Sequence, residues 1–185
     1  MLPLLSIEKL EKILNYLPCR ELLVFGLGND SILWLMNNFK NNTTFVEHNE
    51  KYIDKMKDKV QDLIRVDIVK AWYREDIKSK LNDILREYDT NKNQKGLFPR
   101  IDKPIYAKLY DVILVDSPEG CPYTRFQSIL TAKYAAREDG VIIIDDYERA
   151  DERKICLFLF DNNEYNKEIF TDNNGKELLI IQKKI

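Results

Sequence analysis

Four acidic side chains follow two apolar runs in the second half of the sequence. Asp116 ends the run "VILVD", Glu119 follows in the same loop, and Asp145 and Asp146 end "VIIIDD". An aspartate beside a hydroxyl group can take its proton, and a set of carboxylate oxygens suits magnesium, calcium or manganese. Carboxylates this close repel one another unless a cation or a shared proton compensates them. We predict Asp116 and Asp146 as catalytic residues, with Asp116 as base or metal ligand, and Asp116, Asp145 and Asp146 as ligands of a divalent cation.

A glycine turn in "LLVFGLGNDSILW", residues 22–34, predicts a nucleotide site. Gly26 and Gly28 would let the backbone approach a ligand closely, because neither carries a Cβ atom. The dinucleotide fingerprint requires a third glycine where this chain has Ser31, which weakens an NAD interpretation. Asn29 and Asp30 bring acceptors and a negative charge to the helix start, where a diphosphate would favour a clean N-terminus. They suit the cationic tail of S-adenosylmethionine better.

The second strand is predicted to end at Glu47, whose carboxylate could accept hydrogen bonds from both hydroxyls of an adenosine ribose. NAD and S-adenosylmethionine share that ribose, so Glu47 does not separate them. His48, the only histidine, could act as a base, although an exposed histidine here is more often incidental. The predicted cofactor contacts are Phe25, Gly26, Gly28, Asn29, Asp30, Ser31, Glu47, His48, Asp116 and Ser117. The predicted substrate contacts are Glu119, Arg125 and Tyr147.

The elements that must position these residues alternate along the chain, which predicts a mostly parallel sheet with helices on both faces. Strands are predicted at 21–25, 43–47, 63–69, 110–117 and 140–145, and the chain closes in a hairpin around an Asn-Asn-Gly turn. Residues 1–18 are predicted to hold a helix capped by Ser6, and 89–107 a long loop. Residues 1–185 are read as one domain. Two helix faces are predicted to point inward: Ile7, Leu10, Ile13, Leu14 and Leu17, and then Tyr52, Ile53, Met56 and Val60.

The composition argues against nucleic acid and membrane as partners. A net charge of −2, with 44% hydrophobic and 32% charged residues, gives no general attraction to nucleic acid or anionic membrane. The N-terminus carries acidic residues early and has no long apolar run, so we expect neither a signal peptide nor a membrane span. A cytoplasmic location is therefore the expectation.

Four blocks resemble the plant glucuronoxylan 4-O-methyltransferase family, which includes the irregular-xylem polysaccharide-biosynthesis proteins. They are "LLVFGLGNDSILW", "TTFVEHNEKYI", "YDVILVDSPEG" and "IIIDDYERADE", and they occur in the family's order over about residues 20–155. The resemblance implies a Rossmann-like class I methyltransferase fold, with a seven-stranded sheet ending in the antiparallel hairpin. It further implies S-adenosylmethionine as methyl donor and a sugar hydroxyl of a glycan, glycoconjugate or nucleotide sugar as acceptor.

The resemblance also bears on individual residues. Gly26, Gly28 and Glu47 match the family's cofactor positions, and Asp116 and Asp146 match acidic positions in its later blocks. Arg125 matches an arginine after the glycine-proline loop. The family typically has histidine where this chain has Asp145, which makes a cation more plausible than a catalytic histidine. The acidic trio is also similar to the metal ligands of catechol and caffeoyl-CoA O-methyltransferases.

Two other functions remain open from the sequence. One is a non-catalytic protein that binds cofactor or glycan as an accessory in polysaccharide assembly. The other is an NAD-dependent oxidoreductase, against which Ser31 and the closing hairpin argue. Oligomeric state and the identity of the acceptor sugar are not predicted.

Overall fold

The structure is a computed structural model that describes residues 5–60, 65–73, 81–90, 97–101, 105–116, 122–161 and 163–184. Within these ranges the strands form one sheet of eight, in the order β4-β3-β2-β1-β5-β6-β8-β7. Their bounds are β1 (Glu21–Phe25), β2 (Asn42–Glu47), β3 (Val66–Trp72), β4 (Arg100–Ile101), β5 (Tyr110–Val115), β6 (Ala136–Asp145), β7 (Tyr165–Thr171) and β8 (Glu177–Lys183). Strands β3, β2, β1, β5 and β6 run parallel, as predicted.

Helices cover both faces of the sheet. They are α1 (Ile7–Leu14), α2 (Ser31–Asn37), α3 (Glu50–Val60), α4 (Leu81–Thr90), α5 (Pro122–Ala135) and α6 (Ala150–Phe160). Strand β1 is buried on both faces, which explains its continuous apolar sequence. Leu22 and Val24 enter a first hydrophobic core on one face of the sheet, and Leu23 and Phe25 enter a second core on the other face. Helices α1, α2 and α3 pack on the first core, and α4, α5 and α6 on the second.

Strand β1 lies where the strand order reverses, with β2 on one side and β5 on the other. The backbone N–H of Asp116 donates to the carbonyl of Phe25 at 3.1 Å, which joins the two strand ends. The loops after β1 and β5 therefore leave the sheet side by side. This is the position at which open α/β sheets bind ligands.

The closing hairpin is confirmed. Strand β8 enters the sheet antiparallel to β6, and β7 adds to its outer edge. The turn between them contains Gly175 at a φ of +76°, a conformation that favours glycine. Helix α1 is also confirmed with its cap, since the Ser6 hydroxyl accepts a hydrogen bond from the Lys9 N–H at 3.3 Å.

The predicted fold class is correct, and several details differ. Strand β5 ends at Val115, short of the predicted 110–117 segment, and β6 begins at Ala136, ahead of the predicted 140–145 segment. The eighth strand is β4, a two-residue strand within the predicted 89–107 loop that pairs with Ala71 and Trp72. Those two residues also extend β3 beyond the predicted 63–69 segment, of which 63 and 64 lie outside the described residues. Ile7 and Tyr52 do not face the core, because their exposed fractions are 71% and 37%.

No helix in the described ranges combines the length and apolar character that crossing a bilayer requires.

Candidate active site

A cleft of about 670 Å³ opens at the carboxyl ends of the central strands. The loops after β1, β2, β5 and β6 supply its floor, and α1 and the β7–β8 turn contribute to its border. Nine sequence-predicted site residues line it together: Gly26, Gly28, Asn29, Asp30, Glu47, His48, Asp116, Asp145 and Asp146.

The glycine turn after β1 is shaped by its own backbone. Gly26 has a φ of +117°, which a residue with a side chain adopts only with strain, and its N–H donates to the Val46 carbonyl at 2.9 Å. A Cβ atom built on Gly28 would meet nothing within 4 Å, so this glycine borders open space. The Gly28 N–H donates to the Ser31 hydroxyl at 3.0 Å, which fixes the turn against the start of α2. Gly26 therefore allows the backbone conformation of the turn, whereas Gly28 leaves space free beside it.

Asp30 presents an unsatisfied acceptor at the cleft. Its Oδ1 atom is buried and has no hydrogen-bond partner among the described residues. Burial is the main cause that raises the pKa of Asp30, and the charge of Asp145 adds to it, while a hydrogen bond from the Leu5 backbone opposes both. A buried acceptor without a donor is unfavourable, and a cationic ligand group would relieve it.

Glu47 is held at the end of β2 by backbone donors. Its Oε1 accepts from the N–H groups of His48 and Asn49, both at 2.7 Å, and its Oε2 accepts from the Leu27 N–H at 2.8 Å. Burial alone would raise the pKa of Glu47, but hydrogen bonds from His48, Asn49 and Leu27 outweigh it and lower the pKa. An ionised carboxylate offers about four acceptor positions, so Oε2 retains capacity for a ligand hydroxyl.

Asp116, Asp145 and Asp146 form an acidic cluster in which one oxygen of each lies within 4.8 Å of the others. Burial, followed by the charge of Asp145, raises the pKa of Asp116 to about 7, although Arg125 acts in the opposite direction. Burial and Asp145 likewise raise the pKa of Asp146, against the influence of Arg149 and Arg125. The repulsion expected from the sequence is therefore present, and Asp116 can gain or lose a proton near neutral pH.

Basic side chains of the protein already compensate two members of the acidic cluster. Lys9 Nζ lies 2.5 Å from Asp145 Oδ1. Asp146 Oδ2 lies 2.9 Å from Arg149 Nη2 and 3.3 Å from Arg125 Nη2. A divalent cation at the cluster would face these positive groups at short range. The residues present therefore do not fit the predicted divalent cation, although the three carboxylates themselves come together as predicted.

Asp146 adopts a left-handed backbone with a φ of +59°, which is uncommon for a residue that is not glycine. The turn is held by the Arg149 N–H, which donates to the Asp146 carbonyl at 3.0 Å, and by the two arginine side chains. This conformation turns the chain away from β6 directly after the sheet.

Several predicted contact residues are not among the described residues that line the cleft. Phe25 and Tyr147 are buried in the second core, and Ser31 is buried below the glycine turn. Arg125 is 1% exposed and contacts Asp146, the Val115 carbonyl and Glu152 instead of open space. Their positions do not support direct contact with cofactor or substrate. Ser117 and Glu119 lie outside the described residues.

The cleft has further lining residues that were not predicted as site residues, among them Lys9, Tyr52, Arg149, Asp172, Asn174 and Lys176. Arg149 follows the acidic pair within one turn, so its proximity was available from the sequence. Asn174 and Lys176 could have been found by noting that β8 runs antiparallel, which returns its preceding turn to the carboxyl edge. Lys9 gave no such signal, because nothing in the apolar pattern of α1 separates it from the other charged residues of that helix.

A family model described as IRX15/IRX15L/GXM matches residues 6–169. The glucuronoxylan 4-O-methyltransferase 2 of Arabidopsis thaliana is 32% identical over 134 residues, covering 65% of this chain and 44% of that protein. A second Arabidopsis thaliana relative, glucuronoxylan 4-O-methyltransferase 3, is 32% identical over 139 residues and is covered to 45%. The chain thus spans less than half the length of these curated relatives.

Solved structures share the fold at low sequence identity. A precorrin-6y C5,15-methyltransferase from Geobacter metallireducens has a TM-score of 0.60 at 15% identity, covering 98% of this chain and 90% of that chain. A methyltransferase from Podospora anserina, solved with bound S-adenosylhomocysteine, has a TM-score of 0.54 at 14% identity, covering 90% and 72%. These similarities establish the Rossmann-like methyltransferase fold.

Proposed function

The chain belongs to the IRX15/IRX15L/GXM family, and from that premise we propose that it is an S-adenosylmethionine-dependent O-methyltransferase acting on a sugar hydroxyl. The observation that carries the proposal is the meeting, in one cleft, of the glycine turn and Glu47 with Asp116, whose pKa is about 7. The glycine turn and Glu47 suit binding of an adenosine cofactor. Asp116 suits proton transfer from an acceptor hydroxyl.

The residues around the glycine turn would hold the cofactor. Glu47 Oε2 has acceptor capacity for a ribose hydroxyl, and the unpartnered Asp30 Oδ1 would accept from the cationic amino-acid tail. Gly28 leaves the space beside them open. S-adenosylmethionine would supply an electrophilic methyl group on a sulfonium, which needs no covalent help from the protein.

Asp116 is the proposed general base. No lysine or arginine forms an ion pair with it among the described residues, whereas Asp145 and Asp146 are both paired. An ionised Asp116 would accept the proton of the acceptor hydroxyl while that oxygen bonds to the methyl carbon, whose bond to the sulfonium sulfur would break and leave S-adenosylhomocysteine. The paired neighbours Asp145 and Asp146 lie beside Asp116, and no step requires a metal ion.

The acceptor class rests on relatives. The curated relatives are named glucuronoxylan 4-O-methyltransferases, at 30–32% identity. Half-exposed Arg149 and Lys176 line the cleft beside the acidic cluster and supply donors for the oxygens of a polar acceptor. A sugar hydroxyl of a glycan, a glycoconjugate or a nucleotide sugar fits these properties.

The test is methyl transfer from isotopically labelled S-adenosylmethionine to a panel of glycans, glycoconjugates and nucleotide sugars, read by mass spectrometry. The proposal predicts that one class of acceptor gains the mass of a single CH₂ group together with the label. Binding of S-adenosylhomocysteine without transfer to any acceptor would instead favour a non-catalytic accessory role. Transfer of hydride to or from NAD would favour an oxidoreductase.

A further inference from the structure

Lys9 is a buried ammonium group inside the candidate active site, and the proposed function does not use it. The residue is 3% exposed, and its Nζ lies 2.5 Å from Asp145 Oδ1, whose side chain is 7% exposed. The two residues are 136 positions apart in the chain, so the contact depends on docking of α1 against the sheet. Both residues line the cleft.

The position of Lys9 is set by several other contacts of α1. Lys12 Nζ lies 2.5 Å from Glu168 on β7, and Asn173 Nδ2 donates to Glu8 at 2.7 Å. The side chain of Ile13, one turn beyond Lys9, is buried in the first core. The helix is therefore anchored independently of Lys9. Its other contacts fix the position of the Lys9 ammonium group, which does not depend on the ion pair with Asp145 alone.

The ammonium group of Lys9 balances part of the negative charge of the acidic cluster. Three carboxylates within 4.8 Å of one another would attract a divalent cation in the absence of other positive charge. Arg125 and Arg149 compensate Asp146, and Lys9 compensates Asp145. A buried ion pair contributes little net stability because removing both charges from water is costly. Its location in a cleft is then better explained by a role at the site.

We propose that Lys9 is the built-in counter-cation of the acidic cluster and that its ammonium group excludes divalent metal from it. The ammonium occupies one oxygen of Asp145 and adds a fixed positive charge where a metal ion would need to bind. Lys9 is thereby a positioning residue: it holds Asp145 in place beside Asp116. The positioning role rests on the proposed function, whereas the exclusion of metal does not.

The direct test is binding of Mn²⁺ alone to the full chain, measured from the electron paramagnetic resonance signal of the free ion. Wild type is expected to bind no stoichiometric Mn²⁺ at submillimolar concentration. Lys9→Met, which keeps the apolar stem and removes the charge, is expected to bind one Mn²⁺ at least about tenfold more tightly. Lys9→Arg should restore exclusion, and the double variant Lys9→Met/Asp145→Asn should lose the acquired site.

Lys12→Met is the matched control, because it removes an ammonium group from the same helix at a position outside the cleft. The Lys12 ammonium group pairs with Glu168 on β7. It should leave Mn²⁺ binding at the wild-type level. Tight Mn²⁺ binding by wild type would overturn the proposal whatever the variants do. Unchanged binding in a folded Lys9→Met protein would also overturn it, and Lys9→Gln replaces that variant if it does not fold.

Activity gives a second, separate readout. If the chain is a methyltransferase, Lys9→Met should lower kcat with little change in S-adenosylhomocysteine affinity, and Lys9→Arg should recover much of it. Equal loss of turnover in Lys9→Arg and Lys9→Met would contradict the positioning role. Failure of every acceptor with wild type would count against the proposed function while leaving the Mn²⁺ result valid.

Discussion

At the residue scale, the chemistry concentrates on Asp116. Its position after β5 was predicted from the apolar run that precedes it, because parallel strands end at one edge of a sheet. Its protonation behaviour was not predictable from sequence. It depends on burial and on how each neighbouring carboxylate is paired, and two of those pairings come from Lys9 on α1 and Arg125 on α5, which are distant from the acidic pair in the sequence.

Replacing Asp116 with Asn should leave cofactor binding near wild type and reduce turnover by about a hundredfold or more, because a general base is lost. In wild type, turnover should rise as pH increases through about 7, where the Asp116 carboxyl loses its proton. Steady-state kinetics over this pH range, with binding measured separately, checks both statements. Full turnover in the variant would remove Asp116 from the mechanism.

The same substitution should affect stability in a pH-dependent way. The pKa of the Asp116 carboxyl is raised from its ordinary value of 3.8 to about 7 in the folded protein. Between these two pH values the folded state therefore binds more protons than the unfolded state. Wild type therefore loses stability as pH rises through this window, and Asp116→Asn avoids that loss. Denaturant unfolding should give the variant an advantage of about 1 to 4 kcal/mol near pH 8 and almost none near pH 4. An equal difference at both pH values would indicate a packing effect.

At the element scale, each cofactor-type residue is fixed by the element before it. Strand β1 delivers the glycine turn and β2 delivers Glu47, so these positions followed from apolar periodicity and the residues that end it. Helix α1 was the exception. Its pattern predicted Ile7 inside and did not single out Lys9, whereas the structure exposes Ile7 and buries Lys9. The periodicity of α1 carries no information about the partner Asp145, which lies 136 positions away in the chain.

The two glycines of the turn should respond differently to alanine. Gly28→Ala adds a methyl group to open space, so the free energy of unfolding should stay within about 1 kcal/mol of wild type. The methyl group would occupy the cleft, and S-adenosylhomocysteine affinity should fall at least about tenfold. Gly26→Ala, at a φ of +117°, should lose about 1–3 kcal/mol of stability. Thermal melts with calorimetric titration distinguish the two, and equal destabilisation would contradict the assignment.

At the scale of the whole molecule, Arg125 connects much of the site scaffold. It extends from α5 to the end of β5, to Asp146 after β6 and to Glu152 on α6, and it is 1% exposed. The resemblance identified this position, but periodicity could not distinguish a substrate contact from a buried scaffold residue. Only the packing of four elements around it resolves the difference.

Arg125→Met should therefore destabilise the protein by about 3–5 kcal/mol, because Asp146 and Glu152 lose a buried partner. Arg86→Met is the control, since Arg86 is exposed and its ion pair among the described residues is with Asp83 on the same helix, and it should change stability by less than about 1 kcal/mol. Urea unfolding followed by circular dichroism measures both. A stability loss below 1 kcal/mol for Arg125→Met would contradict the scaffold role.

The cleft at the ends of β1, β2 and β5 is proposed to hold S-adenosylmethionine. The most direct measurement is calorimetric titration of the purified chain with S-adenosylhomocysteine and, separately, with NAD. We predict one S-adenosylhomocysteine site that Gly28→Ala weakens, and no measurable NAD binding. Binding of NAD without binding of S-adenosylhomocysteine would rule out an S-adenosylmethionine site in this cleft.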